Sequence, residues 1–364
     1  MKAHTVNFER RDHRRHLIDL ADKVFVNNSS NLFNRDGQRS SVILMIIVND
    51  STFDFGQGAP DSRSKRSVVT IGAYDGVHRG HQAVIEQVRL QAEILDARSV
   101  VVTFDRHPAS VVRPASAPLL LTDLEQKLEL LANTGLDATC IVKFDEDSSR
   151  ETPSDFVKRV LVDGLAAKRV IIGEDFHFGH KRGGNVALLR ELGPKFDFDV
   201  VPVELISRGD GVDEPVSSTA IRRALAGGQV ELATQLLGHH FEARGKVVHG
   251  DQRGRTIGFP TANIEVPKVI CIPADGVYAG VLTRANGDAH VCAINLGRRP
   301  TFYEHADHSL LEAHLLDFDG DLYGETVRVS FSHFLRGERK FENIDALKMQ
   351  LKHDIEQTRA VSKI

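Results

Sequence analysis

The sequence predicts two architectures in one chain. The first is an α/β domain in which a parallel sheet is flanked by helices, and the second is a small antiparallel β-barrel with a C-terminal helix. Short β-branched segments alternate with amphipathic helical segments in the first part, which is the pattern of a sheet covered on both faces. Later strands are separated only by turn residues, which is typical of a barrel. The 364 residues suffice for two hydrophobic cores.

The α/β pattern begins at residue 67. Its predicted strands are VVTIG (68–72), SVVVTFD (99–105), TCIVKFD (139–145), RVIIG (169–173) and FDVVPVELI (198–206). After the first strand, Ile85, Val88, Ala92 and Leu95 recur at steps of three and four, which predicts a helix with one apolar face. Further on, LEQKLELLANTG ends on a glycine suited to a helix C-cap, and PSDFVKRVLVDG begins with a first-turn proline.

The pattern changes after LLGHHFEA (236–243). Six predicted strands follow without helices between them: KVVHGD, IGFPTANIEV, GVYAGVLTR, AHVCAINLG, SLLEAHLLDFD and ETVRVSFSHFL. Leu347, Leu351 and Ile355 then recur at steps of four and predict one closing helix. We place the boundary near residue 240, with one domain over residues 67–238 and the other over 239–364.

Residues 1–66 form a third region, which we interpret as an irregular, partly disordered N-terminal extension because mixed charges and turn residues dominate it. Its apolar run, VILMIIV (42–48), is too short to cross a bilayer, which takes about 20 residues. It also starts too late for a signal peptide. We interpret this run as a short strand or an interaction segment.

Charge and cysteine content limit the functional class. A formal net charge of −4 argues against nonspecific nucleic-acid binding. Cys140, Cys271 and Cys292 are far apart and lack the spacing of a zinc site, which fits a reducing compartment. We therefore expect a cytoplasmic protein that acts on small molecules, without nucleic-acid or membrane partners. Whether it forms a homo-oligomer is left open.

The first candidate site is YDGVHRGH (74–81), at the end of the first α/β strand, where sheets of this kind bind ligands. Gly72 and Gly76 allow a tight turn, and Gly80 allows a ligand to approach the main chain. A helix that starts near Gly80 directs free N–H groups to the same place, where His78 and His81 add hydrogen-bond donors for phosphate. A metal-binding histidine pair is the alternative, although no HExxH motif or nearby third ligand supports it.

The segment GAYDGVHRGH resembles the HxGH phosphate-binding signature of nucleotidyltransferases, and in particular of the bacterial FAD synthetases. Three more segments agree with that family in order: TFDRHP (103–108), GEDFHFGHKRGG (173–184) and VSSTAIRRAL (216–225). The resemblance implies a Rossmann-like nucleotidyltransferase domain with FMN adenylyltransferase activity. In that reaction the FMN phosphate attacks the α-phosphorus of ATP and pyrophosphate leaves, so catalysis depends on positioning and charge neutralisation.

This resemblance implies roles for individual residues. His78 and His81 would be catalytic. The residues expected to bind ATP phosphates are Gly72, Asp75, Gly80, Ser217, Ser218, Thr219 and Arg222. The residues expected to contact flavin are His107, Asp175, Phe176 and Phe178. The family often has asparagine at the position of Asp175, which affects the nucleotide contacts expected there.

The second candidate site is GDQRGRTIGFPTAN (250–263), which resembles the signature of the riboflavin kinase family, including its PTAN box. Gly250, Gly254 and Gly258 allow close approach of the backbone to phosphate, and the chain has no Walker A motif. The hydroxyl of Thr261 and the amide of Asn263 are hard oxygen ligands that suit Mg²⁺. By the resemblance to this family, Thr261 and Asn263 would bind the metal–ATP complex.

The match to LLEAHLLDFDGDLYGE (310–325) gives Glu312 the role of base, which accepts the proton of the ribityl 5′-hydroxyl. An EF-hand interpretation of DFDGDLYGE fails, because Leu322 stands at the glycine position and Arg328 at the bidentate glutamate position. In INLGRRPTF, Arg298 and Arg299 replace smaller or polar residues of many relatives, which puts flavin contacts there in doubt.

Together the two resemblances imply a bifunctional riboflavin kinase/FMN adenylyltransferase, with ATP as co-substrate and Mg²⁺ in both steps. It would convert riboflavin to FMN and then FMN to FAD. Two alternatives remain. One half could be inactive, or the chain could bind flavin for regulation without turnover. The regulatory alternative predicts the loss of Glu312, Thr261 or His78, and all three are present.

Overall fold

The computed structural model describes residues 25–26, 44–53, 66–204, 206–250, 253–297 and 310–362. The chain divides into two compact units. The first comprises residues up to 118 together with 123–215, and the second comprises residues 119–122 together with 216–364.

The first unit is built on a sheet that has seven strands within the described residues, in the order β1-β2-β5-β4-β3-β6-β7. From β2 to β7 the neighbouring strands are parallel, whereas the two-residue β1 is antiparallel to β2. The strands are β1 (Phe25–Val26), β2 (Leu44–Asn49), β3 (Ser67–Ile71), β4 (Arg98–Phe104), β5 (Ala138–Val142), β6 (Ala167–Gly173) and β7 (Asp199–Val203).

Apolar residues on both faces explain why these strands form a covered parallel sheet. Every residue of β3 and β5 is buried. Val69 and Ile71 belong to one apolar cluster, and Val68, the residue before Val69, belongs to another. Because successive side chains of a strand point to opposite faces, the two clusters lie on the two sides of the sheet. The prediction of an α/β sheet is confirmed.

Helices connect the parallel strands. They are α1 (Arg79–Ile94), α2 (Ala109–Val112), α3 (Leu124–Ala132), α4 (Pro153–Phe156), which continues as a π-helical segment (Val157–Gly164), and α5 (Val186–Phe196). Helix α1 buries Ile85, Val88 and Ala92, the face predicted from their spacing. Pro153 occupies the first turn of α4, as expected, and Thr152 caps it by accepting a hydrogen bond from the backbone N–H of Asp155.

The strand order reverses direction next to β3. The chain runs from β3 to β4 and β5 on one side, then returns to place β6 and β7 on the other side of β3. In parallel sheets the crevice at such a reversal, beyond the carboxyl ends of the strands, is where ligands bind. The segments that follow β3 and β6 therefore meet at the crevice, and they contain YDGVHRGH and GEDFHFGHKRGG.

The boundary expected at residue 67 needs a correction. Strand β2 lies inside the sheet, parallel to β5, and Met45 and Val48 are 0% exposed. Residues 44–49 are therefore part of the first unit, because their apolar side chains complete its two-sided core. The strand interpretation of the apolar run is the one that agrees with this structure. Most of the predicted N-terminal extension lies outside the described residues.

The second unit is a closed barrel of antiparallel strands in the order β10-β11-β12-β9-β8-β13. The strands are β8 (Phe241–Val248), β9 (Ala262–Glu265), β10 (Gly276–Thr283), β11 (Ala289–Gly297), β12 (Leu310–Leu315) and β13 (Thr326–Arg336). Its helices are α6 (Ser218–Ala226), α7 (Val230–Leu237), α8 (Arg253–Thr256) and α9 (Ile344–Val361). The predicted barrel with a C-terminal helix is confirmed.

Two details of this unit differ from expectation. Helices α6 and α7 share one core with the barrel, through residues such as Ile221 and Leu236, so residues 216–238 belong to the second unit and not to the first. In α9 the fully buried positions are Asp354 and Thr358. Asp354 accepts hydrogen bonds from Nε and a terminal nitrogen of Arg336 at 3.0 and 2.8 Å, which explains why a carboxylate is buried there.

No helix within the described ranges is long and apolar enough to span a bilayer. Location in the cytoplasm and the oligomeric state stay predictions.

Two candidate active sites

The first candidate site is built at the N-terminus of α1. His78 caps this helix, and its Nδ1 accepts a hydrogen bond from the backbone N–H of His81 at 3.3 Å. Because Nδ1 is the acceptor, the proton of neutral His78 is on Nε2, which makes Nε2 a donor. The two imidazole rings stack with centroids 3.6 Å apart and an interplanar angle of 18°. The structure thus brings the two predicted histidines together at a helix end that attracts anions.

The turn that precedes the histidines is strained. Tyr74, Gly76 and Val77 have φ angles of 50°, 82° and 39°, and only glycine adopts such values without cost. Hydrogen bonds hold the strained turn: the Tyr74 hydroxyl pairs with Oγ1 of Thr70 at 2.8 Å, and Gln82 Nε2 donates to the Val77 carbonyl at 2.8 Å. Buried strain of this kind pre-organises a site.

His81 has the environment of a group that meets a ligand. Its Nδ1 is enclosed and has no hydrogen-bond partner among the residues that the structure describes. Burial, with His78 and Lys127 adding to its effect, holds the pKa of His81 well below its ordinary value of 6.5. His81 is therefore neutral at pH 7. A neutral imidazole with an unsatisfied nitrogen suits a ligand group or a water at this position.

A buried lysine lies beside the histidines, and sequence reasoning missed it. Lys127 on α3 is 8% exposed, and its Nζ donates to the carbonyls of Ala73 and Phe104 at 3.3 and 2.9 Å and to Oγ1 of Thr103 at 3.1 Å. Burial lowers its pKa to about 8, against the opposing effect of Asp75 and Asp105. Nothing in the helical pattern LEQKLELL distinguishes this lysine from a solvated one.

Four other predicted residues of the first unit lie at the carboxyl edge of the sheet. Gly72 donates its N–H to the Val102 carbonyl at 3.0 Å, Asp75 is buried, and Gly80 lies in the first turn of α1. His107 follows β4, next to β3 in the sheet, and its Nδ1 accepts a hydrogen bond from the N–H of Ala109 at 3.1 Å. These positions all belong to the carboxyl edge of the sheet.

Phe178 requires a correction. It is buried in the core of the first unit, and Phe176 stacks on its ring with centroids 5.9 Å apart. A Cβ at Gly184 would lie 2.7 Å from the same ring, so the backbone of Gly184 covers it. Phe178 therefore has no face for a flavin ring, and we assign it to the core. Phe176 is partly buried, and Asp175 is exposed.

The predicted phosphate-binding residues of α6 belong to the second unit. Ser217 caps the helix and accepts a hydrogen bond from the N–H of Ala220 at 3.2 Å. Ser218 and the exposed Thr219 form the first turn. Arg222 donates through Nε to the Leu119 carbonyl at 2.5 Å, so part of its guanidinium is used within the unit. The assignment of these residues to the adenylyltransferase site stays a prediction.

The second candidate site is a row of polar residues across three barrel strands. Glu312 of β12 pairs with Asn263 of β9 on one side and with Asn295 of β11 on the other. Directly paired residues of antiparallel strands have side chains on the same face. The flanking residues Leu311 and Ala313 belong to the barrel core, so the row faces outward. Sequence reasoning did not single out Asn295, although strand alternation in AINLG places it opposite the buried residues.

Glycines bring the PTAN loop close to this row. A Cβ at Gly250 would lie 2.3 Å from Asn263 Nδ2, and one at Gly254 would lie 2.3 Å from the Phe259 carbonyl oxygen and 3.7 Å from Thr261 Oγ1. Gly258 has a φ of 89° and open space around the position of a Cβ. Any larger residue at the first two positions would displace Asn263 or the turn itself. The loop is therefore a cradle that requires glycine.

His314 anchors the same loop and was also missed. Its Nδ1 donates to the Pro260 carbonyl at 2.7 Å, and its ring meets Phe259 edge-on with centroids 6.0 Å apart. The strand register explains the contact, because His314 is two residues beyond Glu312, on the same face of β12. His314 thus ties the loop that carries Thr261 to the strand that carries Glu312.

The donor set of this site fits a magnesium–nucleotide complex. No cluster of three or more His, Cys, Asp or Glu that could hold a metal occurs in the described part of the chain. Mg²⁺ that arrives with a nucleotide needs few protein ligands, because phosphates and water fill the remaining positions. Thr261 and Asn263 supply hard oxygens beside the glycine cradle. Arg298 and Arg299 lie outside the described residues.

Comparisons with known proteins find relatives of both parts of the chain. The family model for FAD synthetase matches residues 61–220, and the one for riboflavin kinase matches residues 237–362. The bifunctional riboflavin kinase/FMN adenylyltransferase of Haemophilus influenzae is 39% identical over 293 residues, which cover 80% of this chain and 93% of that protein. Its counterpart in Escherichia coli K12 is 38% identical and is 90% covered. The chain belongs to the bifunctional riboflavin kinase/FMN adenylyltransferase family.

The family gives the activity of the chain. It is a riboflavin kinase and an FMN adenylyltransferase, which uses ATP to convert riboflavin to FMN and FMN to FAD. Among solved structures, the chain is similar to one described as a macrolide-efflux protein from Streptococcus pneumoniae, with 30% identity and a TM-score of 0.72. That match covers 86% of this chain and 99% of the other. The predicted bifunctional flavin-cofactor enzyme is confirmed.

Proposed function

We propose that the two activities are divided between the two sites described above. Adenylyl transfer to FMN takes place at the carboxyl edge of the sheet, where His78 and His81 stack. Phosphorylation of riboflavin takes place on the outer face of the barrel, where Glu312 pairs with Asn263. The register pairing of these two residues carries the assignment of the kinase site, because it unites a base and a nucleotide ligand predicted from segments about 50 residues apart.

In the kinase half, Glu312 is the general base. Its carboxylate accepts the proton of the ribityl 5′-hydroxyl as the oxygen attacks the γ-phosphorus of ATP. Gly250 and Gly254 let the backbone approach the phosphates. Asn295, on the other side of Glu312, orients the carboxylate or the ribityl chain. His314 holds the loop against β12 through the Pro260 carbonyl.

In the adenylyltransferase half, the histidines stabilise the charge that develops on the transferred phosphate. His78 presents the Nε2 proton as a donor, and neutral His81 offers its enclosed imidazole to the same region. The N-terminus of α1 adds backbone N–H groups and a partial positive charge. His107 and Asp175 follow strands on either side of β3 and contact the flavin or the nucleotide.

Mg²⁺ is part of this proposal. Thr261 and Asn263 hold the ion that accompanies ATP in the kinase half, and when bound the ion neutralises phosphate charge. The proposed domain roles follow: residues 44–49, 67–118 and 123–215 of the first unit serve adenylyl transfer, and residues 239–364 serve phosphorylation.

Reciprocal variants in one chain test these assignments. Glu312→Gln keeps the size of the side chain but replaces the basic carboxylate by a neutral amide, so FMN formation from riboflavin should fall at least about 100-fold. FAD formation from supplied FMN should stay unchanged. His78→Ala with His81→Ala should give the opposite result. Kinase activity that survives Glu312→Gln would refute the base assignment, and adenylyl transfer that survives the histidine changes would refute the first site.

A further inference from the structure

The charged side chain of Lys127 is buried, yet none of the roles proposed above uses it. Removing a lysine ammonium from water is unfavourable, and fully buried lysines are rare unless a partner compensates them. Lys127 extends from α3 to the edge of the sheet where the histidine pair lies, and its burial lowers its pKa to about 8. A group kept in the interior at such a cost suggests a role other than stability.

Its hydrogen bonds join two segments of the first site. Nζ donates to the carbonyl of Ala73, in the turn that leads to the histidines, and to Thr103 Oγ1 and the Phe104 carbonyl at the end of β4. Thr103 Oγ1 itself donates to the Ala73 carbonyl at 3.1 Å. An ammonium has three N–H groups, so these three acceptors engage all of them. Lys127 therefore fixes the protein and has no N–H left for a phosphate.

Its charge is balanced within the same site. The buried carboxylates of Asp75 and Asp105 face the ammonium and favour its charged form. His81 also lies within its field, and the positive charge of Lys127 disfavours protonation of that imidazole. Asp105 is itself held by the N–H of Phe144 at 2.8 Å and by Arg106 at 3.0 Å. The charge of the ammonium is thus coupled electrostatically to two carboxylates and a histidine.

We propose that Lys127 is a positioning residue for adenylyl transfer, which in its charged form locks the turn before His78 to the end of β4. This inference rests on the adenylyl-transfer site proposed above. A neutral amine has only two N–H groups, so deprotonation of Lys127 releases one of its three acceptors and loosens the connection between the turn and β4. Adenylyl transfer therefore declines as the pH rises past about 8.

Two variants and one control test the proposal. Lys127→Met keeps the length of the side chain and removes the charge and the donors, whereas Lys127→Arg keeps the charge well above pH 10. Lys195→Met, on the exposed face of α5, is the matched control. For each protein, kcat and KM for FAD formation from FMN and ATP are measured from pH 6.5 to 9.5. Riboflavin phosphorylation by the same preparation serves as the internal reference.

The expected result is a loss in kcat for Lys127→Met of about 100-fold, the size that a displacement of about 1 Å causes. Riboflavin phosphorylation stays unchanged, and Lys195→Met behaves like the unmodified chain. The unmodified chain shows a decline near pH 8 that moves to higher pH in Lys127→Arg. Wild-type kcat in Lys127→Met would overturn the proposal, and so would an identical alkaline decline in the arginine variant.

Two further results separate the possible failures. If Lys127→Met is unfolded, reaction of Cys140 with a thiol reagent in native buffer will show it. In that case the arginine variant and the pH profile of the unmodified chain test the positioning role of Lys127. If the histidine variants keep full adenylyl transfer, the proposed site itself fails. If they lose it while the Lys127 variants keep it, only the role of Lys127 fails.

Discussion

The pKa of Lys127 predicts how the stability of the first unit depends on pH. Burial lowers this pKa from 10.5 to about 8. Each pH unit of difference is worth about 1.4 kcal/mol, so the buried ammonium costs the folded unit about 3 kcal/mol at neutral pH. Between pH 8 and 10.5 the unfolded chain holds this proton and the folded chain does not, so the free energy of unfolding rises with pH in that interval.

Lys127→Met removes this contribution and leaves every other titrating group in place. The free energy of unfolding of the unmodified chain, minus that of the variant, should therefore increase by about 2 kcal/mol between pH 7.5 and pH 10. When Lys195→Met takes the place of Lys127→Met in this subtraction, the difference in the free energy of unfolding should not show this increase. The subtraction matters because other lysines, tyrosines and cysteines also titrate in this range.

Cys140 gives a readout specific to the first unit. It is 0% exposed in β5, whereas the other two cysteines, Cys271 and Cys292, belong to the second unit. Urea titrations at each pH, followed by a brief pulse of thiol reagent and mass analysis of the Cys140 peptide, report unfolding of that unit. Labelling is normalised to the fully unfolded chain at the same pH. A difference that does not change with pH would refute the lowered pKa.

Three further predictions follow from particular contacts. Val48→Asp places an unpaired charge in β2, where Val48 is 0% exposed, and should destabilise the first unit by several kcal/mol; native-like protection of Cys140 would show that β2 is dispensable. His314→Phe keeps the ring beside Phe259 and removes the hydrogen bond to Pro260, so KM for ATP in the kinase reaction should rise about tenfold while FAD formation from FMN stays constant. An unchanged KM would mean that the loop is positioned without His314. Gly250→Ala brings a Cβ within 2.3 Å of Asn263 and should abolish phosphorylation of riboflavin, whereas Gly324→Ala, where a Cβ meets open space at a φ of 80°, tests backbone strain alone; equal losses in the two variants would contradict the cradle.

Local patterns were sufficient to predict most of the fold. Val68 to Ile71 are β-branched and all buried because β3 is covered on both faces, and the spacing of Ile85, Val88 and Ala92 describes the buried side of α1. Strand β2 was harder to place, because its partner β5 lies about 90 residues further along the chain. A short apolar run carries no information about which distant strand it will join. Residues 216–238 were assigned to the wrong unit for the same reason, since the apolar faces of α6 and α7 do not specify the core that they enter.

Among the site residues, too, some are predictable from local sequence and others depend on contacts between distant segments. His78, His81, Glu312 and Asn263 belong to motifs with fixed spacing, so the sequence identifies them before any contact is known. Lys127 depends on the meeting of Ala73 with the end of β4, and His314 on the register of β12 against the PTAN loop. Neither contact leaves a local signal. Phe178 is the reverse case: its place in a motif loop predicted a flavin contact, but its side chain packs in the core of the first unit.

The most direct test of the account is a time course with riboflavin, ATP and Mg²⁺, run on the unmodified chain, on Glu312→Gln and on the double variant His78→Ala, His81→Ala. The account predicts that the unmodified chain forms FMN and then FAD. The histidine variant should accumulate FMN without FAD, and Glu312→Gln should form neither product from riboflavin yet convert added FMN to FAD. FAD formation from riboflavin in either variant, at the rate of the unmodified chain, would contradict the assignment of the two activities to these two sites.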